Sequence, residues 1–175
     1  MPVERIAEWV LTNADDAAIA ALLARCFDVD FGGRSYCMQR HHLRLVRREA
    51  GKVIGHIALT FRAVRLGDEL VDIAGLAEVA CDPDHRGKGV ATALLGTAIA
   101  EAKASPAQFL LLFGTAGLYG GVGFRPAHNP TTYVEMRGAR TGLVKSEPAE
   151  TLQVLALRGS AWDADAPLDL LGCLF

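Results

Sequence analysis

The stretch CDPDHRGKGVA, residues 81–91, marks the point where a strand-like apolar run ends and a helical pattern begins. Gly87 and Gly89 carry no side chain, so an anion can approach the backbone there. The helix that follows exposes unpaired N–H groups and a partial positive charge at its N-terminus, and Arg86 and Lys88 add two full charges. The stretch is neither a P-loop, G-x-x-x-x-G-K-S/T, nor a G-x-G-x-x-G dinucleotide loop. It predicts a site for a pyrophosphate, although glycines before a helix are also typical of a plain turn.

Hydrophobic periodicity on both sides of this stretch predicts a mixed α/β sheet. Apolar residues recur at i, i+4, i+5, i+8 and i+9 from Val90, which indicates one face of a helix that begins at Gly89. A second helix is predicted to begin at Asn13, a capping residue followed by acidic side chains. Strands are predicted at residues 43–46, 53–66, 70–81, 109–113, 131–136 and 152–157. No linker or internal repeat separates these elements, so residues 1–175 are expected to form one domain.

The composition is that of a chain that folds around an apolar core. Of its 175 residues, 51% are apolar and 22% are charged, which excludes an intrinsically disordered protein. The formal net charge of −2 gives no overall attraction to nucleic acid or to an anionic membrane surface. We therefore expect neither nucleic acid nor membrane as a partner.

Signals for export, membrane insertion and metal binding are weak in this sequence. The four cysteines form no C-x-x-C pair, and the early residues Glu4 and Glu8 do not suit a signal peptide, so a reducing, cytoplasmic location is expected. The stretch between Lys103 and Arg125 has no charge, but a proline and five glycines interrupt it, which argues against a membrane span. His41-His42 lacks a second ligand cluster, so we expect no metal site and place the pair at a surface strand edge.

Two motifs resemble those of the GNAT superfamily of N-acetyltransferases. Arg86-x-x-Gly89-x-Ala91 is similar to that family's acetyl-CoA motif, R/Q-x-x-G-x-G/A, and lies between a predicted strand and an amphipathic helix as in the family. About 28 residues later, Leu118-Tyr-Gly-Gly-Val-Gly-Phe-Arg-Pro126 resembles the family's Y-x-x-x-G-F pattern. The resemblance covers roughly residues 40–137. It implies an α/β GNAT fold, which is a mostly antiparallel central sheet with a splayed parallel pair and flanking helices.

The same resemblance implies an N-acetyltransferase, an acyltransferase acting on amino groups, that uses acetyl-CoA and no metal. The expected acceptor is a primary amine of a small molecule, and the sheet-edge contacts common in the family imply a homodimer. Weaker similarities to nodulation N-acyltransferases and aminoglycoside 2′-N-acetyltransferases leave an aminoglycoside or amino-sugar acceptor as an alternative. A non-catalytic module that binds acyl-CoA is the alternative from another class.

The family motif also implies which residues contact acetyl-CoA. The loop and the first helical turn are expected to hold the pyrophosphate, and the backbone N–H of Cys81 or its neighbours to polarise the thioester carbonyl. A nucleophilic role for the Cys81 thiol is not expected, because direct transfer needs no acyl-enzyme. The implied cofactor-binding residues are Val79, Ala80, Cys81, Arg86, Gly87, Lys88, Gly89, Val90 and Ala91.

Tyr119 matches by position the tyrosine that acts as general acid in the family. The thiol of CoA has a pKa near ~8.5, whereas a tyrosine hydroxyl with a pKa near ~10 is protonated at neutral pH and can donate to the leaving thiolate. The structural alternative is a half-buried ring that only packs against its neighbours.

Glu78 is the nearest carboxylate on the strand beside the glycine loop and is the candidate general base. An alkylamine with a pKa near ~10.4 is mostly ammonium at neutral pH, so a base must take a proton directly or through water. Many family members carry this carboxylate one residue earlier, where this chain has Ala77. Strand alternation therefore turns Glu78 to the other face unless a bulge intervenes. The alternative is a solvated carboxylate paired with Arg62 or Arg65.

Charge is unevenly distributed along the chain. Residues 34–52 hold six basic side chains against one acidic residue, Glu49. This basic segment is either a solvated face or a border for the phosphates of CoA. The last seventeen residues hold Asp163, Asp165 and Asp169 and no basic side chain. We hypothesise that this acidic tail lines an acceptor pocket for a cationic amine.

Overall fold

The computed structural model describes residues 2–115 and 117–175. Within these residues the chain forms a ten-stranded sheet and two α-helices, α1 (Asn13–Cys26) and α2 (Val90–Ala104). The strands are β1 (Glu4–Ala7), β2 (Leu43–Glu49), β3 (Lys52–Leu66), β4 (Glu69–Cys81), β5 (Phe109–Phe113), β6 (Arg125–Pro126), β7 (Pro130–Arg137), β8 (Arg140–Pro148), β9 (Leu152–Ala156) and β10 (Leu168–Cys173).

The sheet is mostly antiparallel, as predicted. Its strand order is β6-β9-β5-β4-β3-β10-β7-β8, and β2 pairs with both β1 and β3. The long strand β3 therefore pairs with β2 along its first half and with β10 near its end. Among the described strands, β4–β5 and β10–β7 are parallel and the other pairs are antiparallel. The β4–β5 pair confirms the expected parallel pair, and the β10–β7 pair is an addition to it.

Strands β4 and β5 separate part of the way along the sheet. Their pairing runs from Ile73 opposite Phe109 to Leu76 opposite Leu112. Strand β5 then ends at Phe113, while β4 continues to Cys81. The β5-facing edge of β4 is therefore left without a strand partner over residues 77–81. We call this opening the splay.

Each helix covers one face of the sheet. On the α2 face, the helix buries the apolar stripe that the periodicity predicts, against buried residues of β3, β4 and β5. On the α1 face, the helix packs with residues of β2, β3 and β4. The side chain of Thr12 caps α1 by accepting a hydrogen bond from the Asp15 N–H, so the cap lies one residue before the predicted Asn13.

Strands β1, β8 and β10 are not predicted from the sequence pattern. Strand β8 is exposed along almost its whole length, so it has no buried face to produce an alternating pattern. Strand β10 is short and contains Asp169, and it is placed by pairing with β3 and β7 rather than by its own composition.

A β-bulge in β4 decides where Glu78 points. His56 pairs with Ala80 and Ala58 pairs with Ala77, so two residues of β4, Glu78 and Val79, lie opposite the single intervening residue of β3. Glu78 adopts a left-handed backbone with φ of +52°. The side chain of Glu78 consequently lies on the α1 face, while Val79 packs on the α2 face. The bulge that strand alternation requires is present.

His56 holds this bulge from the neighbouring strand. Its buried ring donates from Nδ1 to the Glu78 carbonyl oxygen at 3.0 Å, and its Nε2 accepts from the Arg44 guanidinium at 3.3 Å. Burial, together with the charge of Arg44, lowers the pKa of His56 from 6.5 to about 3. The ring is therefore neutral at neutral pH.

The depressed pKa of His56 predicts a loss of stability in mild acid. Between pH 6.5 and about 3 the unfolded chain binds a proton that folded His56 does not bind. Its contribution to the free energy of unfolding is therefore complete above pH 6.5 and falls by about 1.4 kcal/mol per pH unit as the pH drops. Urea unfolding from pH 7 to 5 should show the stability difference between wild type and His56→Gln shrinking with this slope. A difference independent of pH would contradict the prediction, and the exposed His128→Gln should keep the wild-type slope.

Gly55 sets the distance between β3 and α2. A Cβ at this position would lie 2.6 Å from Val90 Cγ1 and 2.7 Å from Leu94 Cδ1, both on the buried stripe of α2. We expect Gly55→Ala to lower the free energy of unfolding by about 1–3 kcal/mol in urea titrations followed by circular dichroism. Gly96→Ala on the exposed side of α2 is the control, since nothing lies within 4 Å, and it should stabilise the helix by about 0.5–1 kcal/mol. Equal effects of the two changes would contradict this account.

Candidate active site

The loop before α2 has the geometry of an anion site. Gly87 and Gly89 adopt left-handed φ angles of +75° and +74°, and a Cβ at either position would meet nothing within 4 Å. Helix α2 begins at Val90, whose side chain is buried and anchors the first turn. Among the described residues, the ion pairs of this loop involve Asp82, Asp84 and His85. Arg86 and Lys88 are in none of them, and both are exposed. We call residues 86–91 the phosphate cradle, because free amides, open space and two free cations meet there.

Asp82 anchors the cradle to the rest of the molecule. Its buried carboxylate binds Arg25 of α1 at 2.7 Å and Lys52 of β3 at 2.8 Å, and accepts a hydrogen bond from the Asp84 N–H at 3.0 Å. The hydrogen bond from Lys52 is the largest of the effects that hold the pKa of Asp82 well below its usual range. The start of the cradle loop is thus fixed to both β3 and α1.

The basic segment 34–52 divides into paired and unpaired residues. Four of its cations bind acidic groups: Arg40 and Arg44 bind Glu8, Arg48 binds Glu4 and Asp15, and Lys52 binds Asp82. The segment as a whole is therefore neither a solvated face nor a border of the cradle, because acids from β1, α1, the turn between them and the loop after β4 pair with four of its six cations.

Arg47 is the member of that segment that lies on the side of the cradle. It pairs with Gly55 in β3, and Gly55 pairs with Cys81 at the end of β4, so the three residues form one row across the sheet. Cys81 packs against the core of the α2 face. The Arg47 guanidinium consequently adds positive charge near the N-terminus of α2.

The end of β4 lies along the splay. Val79 and Cys81 are half-buried on the α2 face, and Ala80 is buried in the core on the α1 face. Burial is the main cause that raises the pKa of the Cys81 thiol. The thiol is therefore protonated at neutral pH, which disfavours a role as nucleophile.

Tyr119 lies in the segment after β5, on the β5 side of the splay. Its ring is 8% exposed, packs edge-on against Phe124 at 6.0 Å, and occupies the space beside Gly114, where a Cβ would come within 3.3 Å of it. Burial raises the pKa of the Tyr119 hydroxyl, so the group is protonated at neutral pH and can donate. The ring has the packing role considered for it, and its hydroxyl retains the chemistry of an acid.

Glu78 lies in a different environment from the one expected of a solvated carboxylate. Its Oε1 accepts from the Cys37 N–H at 2.7 Å, and its Oε2 lies 3.4 Å from the Arg44 guanidinium. Arg62 and Arg65 instead donate to the carbonyls of Cys173 and Asp68, so the pairing with Glu78 suggested for them is wrong.

His41 is the second polar group at this point. Its Nε2 lies 3.1 Å from Glu78 Oε2, yet the contact lacks hydrogen-bond geometry and leaves this buried nitrogen without a partner. The expected surface position of His41 is therefore wrong: the side chain is 5% exposed, because the loop before β2 folds over the sheet.

A pocket of about 600 Å³ opens on the α1 face beside Glu78. Glu78 of β4 and Phe113 of β5 both line it, so it meets the splay from this side. Sequence reasoning missed most of this lining. Its apolar members include Phe27, Phe31, Met38 and Phe175, and its polar members include Arg40, His41 and Arg62. They come from loops and from the C-terminal segment, which carry no periodic pattern.

Glu78 and Tyr119 are not brought into contact by the fold. Glu78 lines the pocket on the α1 face, and Tyr119 belongs to the core cluster on the α2 face. Two adjacent residues lie between them: Phe113 lines the pocket, and Gly114 lies next to the Tyr119 ring. The two candidate groups thus stand on either side of the splay.

The aspartates of the acidic tail do not line this pocket. Asp163 accepts hydrogen bonds from the Asp165 and Ala166 N–H groups, and Asp169 accepts one from the Leu171 N–H. The tail reaches the pocket through its last three residues, 173–175. The aspartates stabilise turns before and within β10, so our hypothesis that they face the acceptor is wrong.

Within residues 2–115 and 117–175, no group of three or more His, Cys, Asp or Glu side chains is arranged to hold a metal ion. In the same part of the chain, no helix is both long enough and apolar enough to cross a membrane.

Comparison with known proteins supports the same fold. A GNAT family N-acetyltransferase (YhbS) from Escherichia coli, crystallised with CoA, aligns with a TM-score of 0.66 and 23% identity over 97% of this chain and 89% of that chain. A GNAT family acetyltransferase from Brucella melitensis, in complex with acetyl-CoA, aligns with a TM-score of 0.59 and 21% identity over 95% and 94% of the two chains. The ribosomal-protein-S18-alanine N-acetyltransferase of Escherichia coli aligns with a TM-score of 0.61 and 18% identity over 91% and 96%.

A search of curated proteins finds no match to this sequence. The family model of the acetyltransferase (GNAT) domain matches residues 10–127, which is more than half of the chain and includes β4, the phosphate cradle, Glu78 and Tyr119. This chain belongs to the GNAT family of acetyltransferases.

Proposed function

We propose that this protein transfers the acetyl group of acetyl-CoA directly to a primary amine of a small molecule. The observation that carries the proposal is the splay, which joins the phosphate cradle on the α2 face to a pocket on the α1 face. Two structures with the same fold were crystallised with CoA or acetyl-CoA, which supports the choice of donor.

The residues of the cradle fit the donor. Its pyrophosphate would be held by the amides of residues 87–91 and by the free cations Arg86 and Lys88, and the open space at Gly87 and Gly89 admits it. The unpaired edge of β4, from Val79 to Cys81, offers backbone N–H groups to a carbonyl in the splay. When bound, the donor supplies an acetyl group activated as a thioester.

The chain's own residues move the protons in this proposal. Glu78 takes a proton from the ammonium of the acceptor and so frees the nitrogen lone pair. As the nitrogen bonds to the thioester carbon and the C–S bond breaks, the Tyr119 hydroxyl gives its proton to the departing sulfur. The phenolate recovers a proton, directly or through water, as the acylated nitrogen loses its second proton. We also propose a reducing, cytoplasmic location, which suits the four free cysteines. We propose that residues 1–175 form one domain and that the protein is a homodimer.

Replacing Tyr119 with phenylalanine removes the proposed acid and keeps the ring that packs on Gly114. We expect Tyr119→Phe to lower kcat by about 10²–10⁴-fold in an assay of thiol release from acetyl-CoA with a panel of amines. The unfolding midpoint and the affinity for CoA should stay near wild type. Tyr36→Phe is the control, since Tyr36 does not line the pocket. An unchanged kcat in Tyr119→Phe would remove this residue from the mechanism.

Glu78→Gln tests the proposed base while keeping an oxygen for the Cys37 N–H. We expect kcat/KM to fall by about 10²–10⁴-fold near neutral pH. The loss should shrink as the pH approaches the pKa of the amine, because more acceptor is then already deprotonated. Glu69→Gln, at the exposed start of the same strand, should behave as wild type. A loss that is the same at every pH would argue for a positioning role of Glu78.

The same assay separates the enzyme from a binding module. Binding of CoA to the wild-type protein in calorimetry, without thiol release on any amine, would overturn the proposed transfer and leave an acyl-CoA-binding protein. Failure to bind CoA at all would overturn both interpretations of the cradle.

A further inference from the structure

Two pairs of aromatic rings line the pocket beside Glu78. Phe27 and Phe31, at the end of α1 and in the loop after it, have ring centroids 5.6 Å apart. Phe113 and Phe175, at the end of β5 and in the C-terminal segment, have ring centroids 5.4 Å apart. Flat rings from three separate segments thus offer broad apolar contact to a bound molecule.

The Phe175 ring is held in place before any ligand arrives. It lies directly on Gly75 of β4, where a Cβ would come within 2.6 Å of the ring. The Arg62 guanidinium lies 4.8 Å from the ring centroid, and Arg62 is itself held by donating to the Cys173 carbonyl at 2.8 Å. We call Phe113 and Phe175 the aromatic wall. Because Phe175 is already ordered, the wall can bind a flat group without a large loss of side-chain entropy.

Charge in the pocket suits one ammonium group and no more. Among the described side chains that line it, Glu78 carries the sole carboxylate, and Arg44 and the Cys37 N–H already contact its two oxygens. Two arginines, Arg40 and Arg62, also line the pocket. A second ammonium on the acceptor would therefore meet like charge from these arginines and no second side-chain carboxylate.

We infer that the acceptor is a monoamine whose nitrogen is joined to a flat or compact apolar body, such as an arylalkylamine. This rests on the proposed function, and it decides against the polycationic aminoglycosides among the alternatives. The volume of about 600 Å³ lies within the range of about 300–1,000 Å³ usual for small-molecule sites. The ammonium end lies at Glu78 and the apolar end lies against the aromatic rings.

A matched pair of amines tests the charge requirement on the wild-type protein. Hexylamine and hexamethylenediamine have the same carbon chain and differ by one ammonium group. In the thiol-release assay we expect kcat/KM for hexylamine to exceed that for the diamine by about tenfold or more. Phenethylamine should be at least as good as hexylamine, and spermidine and kanamycin should be poorer than both. Equal or better use of the polycations, or preference for the N-terminal amine of an alanine tripeptide, would overturn the inference.

Phe175→Ala tests the aromatic wall. We expect KM for phenethylamine to rise by about tenfold or more, with the affinity for CoA unchanged. Trp9→Ala is the control, since this ring is 96% exposed and does not line the pocket. An unchanged KM in a folded Phe175→Ala protein would overturn the role of the wall, and if the variant does not fold the amine pair on wild type still decides the charge requirement.

Thiol release and ligand binding fail in distinguishable ways. If no amine releases thiol, the proposed function fails, and the pocket is then tested by thermal shift in the presence of CoA. Stabilisation of the wild-type protein by phenethylamine but not by hexamethylenediamine would support the inference. Stabilisation by the diamine alone, or by neither amine, would overturn it.

Discussion

A single buried guanidinium holds the α1 face of the sheet together. Arg44 gives two hydrogen bonds to the carboxylate of Glu8, at 2.7 and 3.2 Å, and one to the Ser35 carbonyl at 2.6 Å. His56 Nε2 and Glu78 Oε2 lie 3.3 and 3.4 Å away. These partners come from the turn after β1, the loop before β2, β3 and β4. Because removing one member of a buried charge cluster costs about 3–5 kcal/mol, each segment depends on the others for its place.

The bulge at Glu78 follows from this cluster. A non-glycine residue with φ of +52° costs about 1–3 kcal/mol and persists where its surroundings determine it. Here His56 binds the carbonyl of Glu78, and the Cys37 N–H and Arg44 bind its carboxylate. One extra residue in β4 then has two effects, since it turns the carboxylate into the pocket and places Val79 on the α2 face beside the splay.

The sequence predicts the features that have local causes and misses those that depend on tertiary contacts. The cradle at residues 86–91 and strand β5 follow from glycine, proline and apolar pattern within a few residues, and both lie where predicted. Arg44 alternates with leucines as an exposed strand residue would, and only the loop that covers it makes it buried. The face of Glu78 depends on a bulge set by contacts with other segments. His56 is different, because a histidine within the apolar run 53–59 was a readable sign of a buried polar group.

The cradle and the pocket, on the two sides of the splay, differ in their charge, and each charge suits its part of the proposed acetyl transfer. Arg86 and Lys88 are unpaired, so the cradle keeps its full attraction for an anion. The carboxylate of Glu78 has the Arg44 guanidinium at 3.4 Å and shares its pocket with Arg40 and Arg62, so positive charge surrounds the one side-chain carboxylate there. A strongly acidic pocket would bind an ammonium tightly and stabilise the protonated form, which has no lone pair to attack a thioester. A compensated carboxylate in an apolar pocket favours loss of the proton instead, because desolvation disfavours the charged amine. For the proposed amine acceptor, the apolar surroundings of Glu78 and the arginines near it would therefore lower ground-state binding in favour of the reactive, deprotonated form.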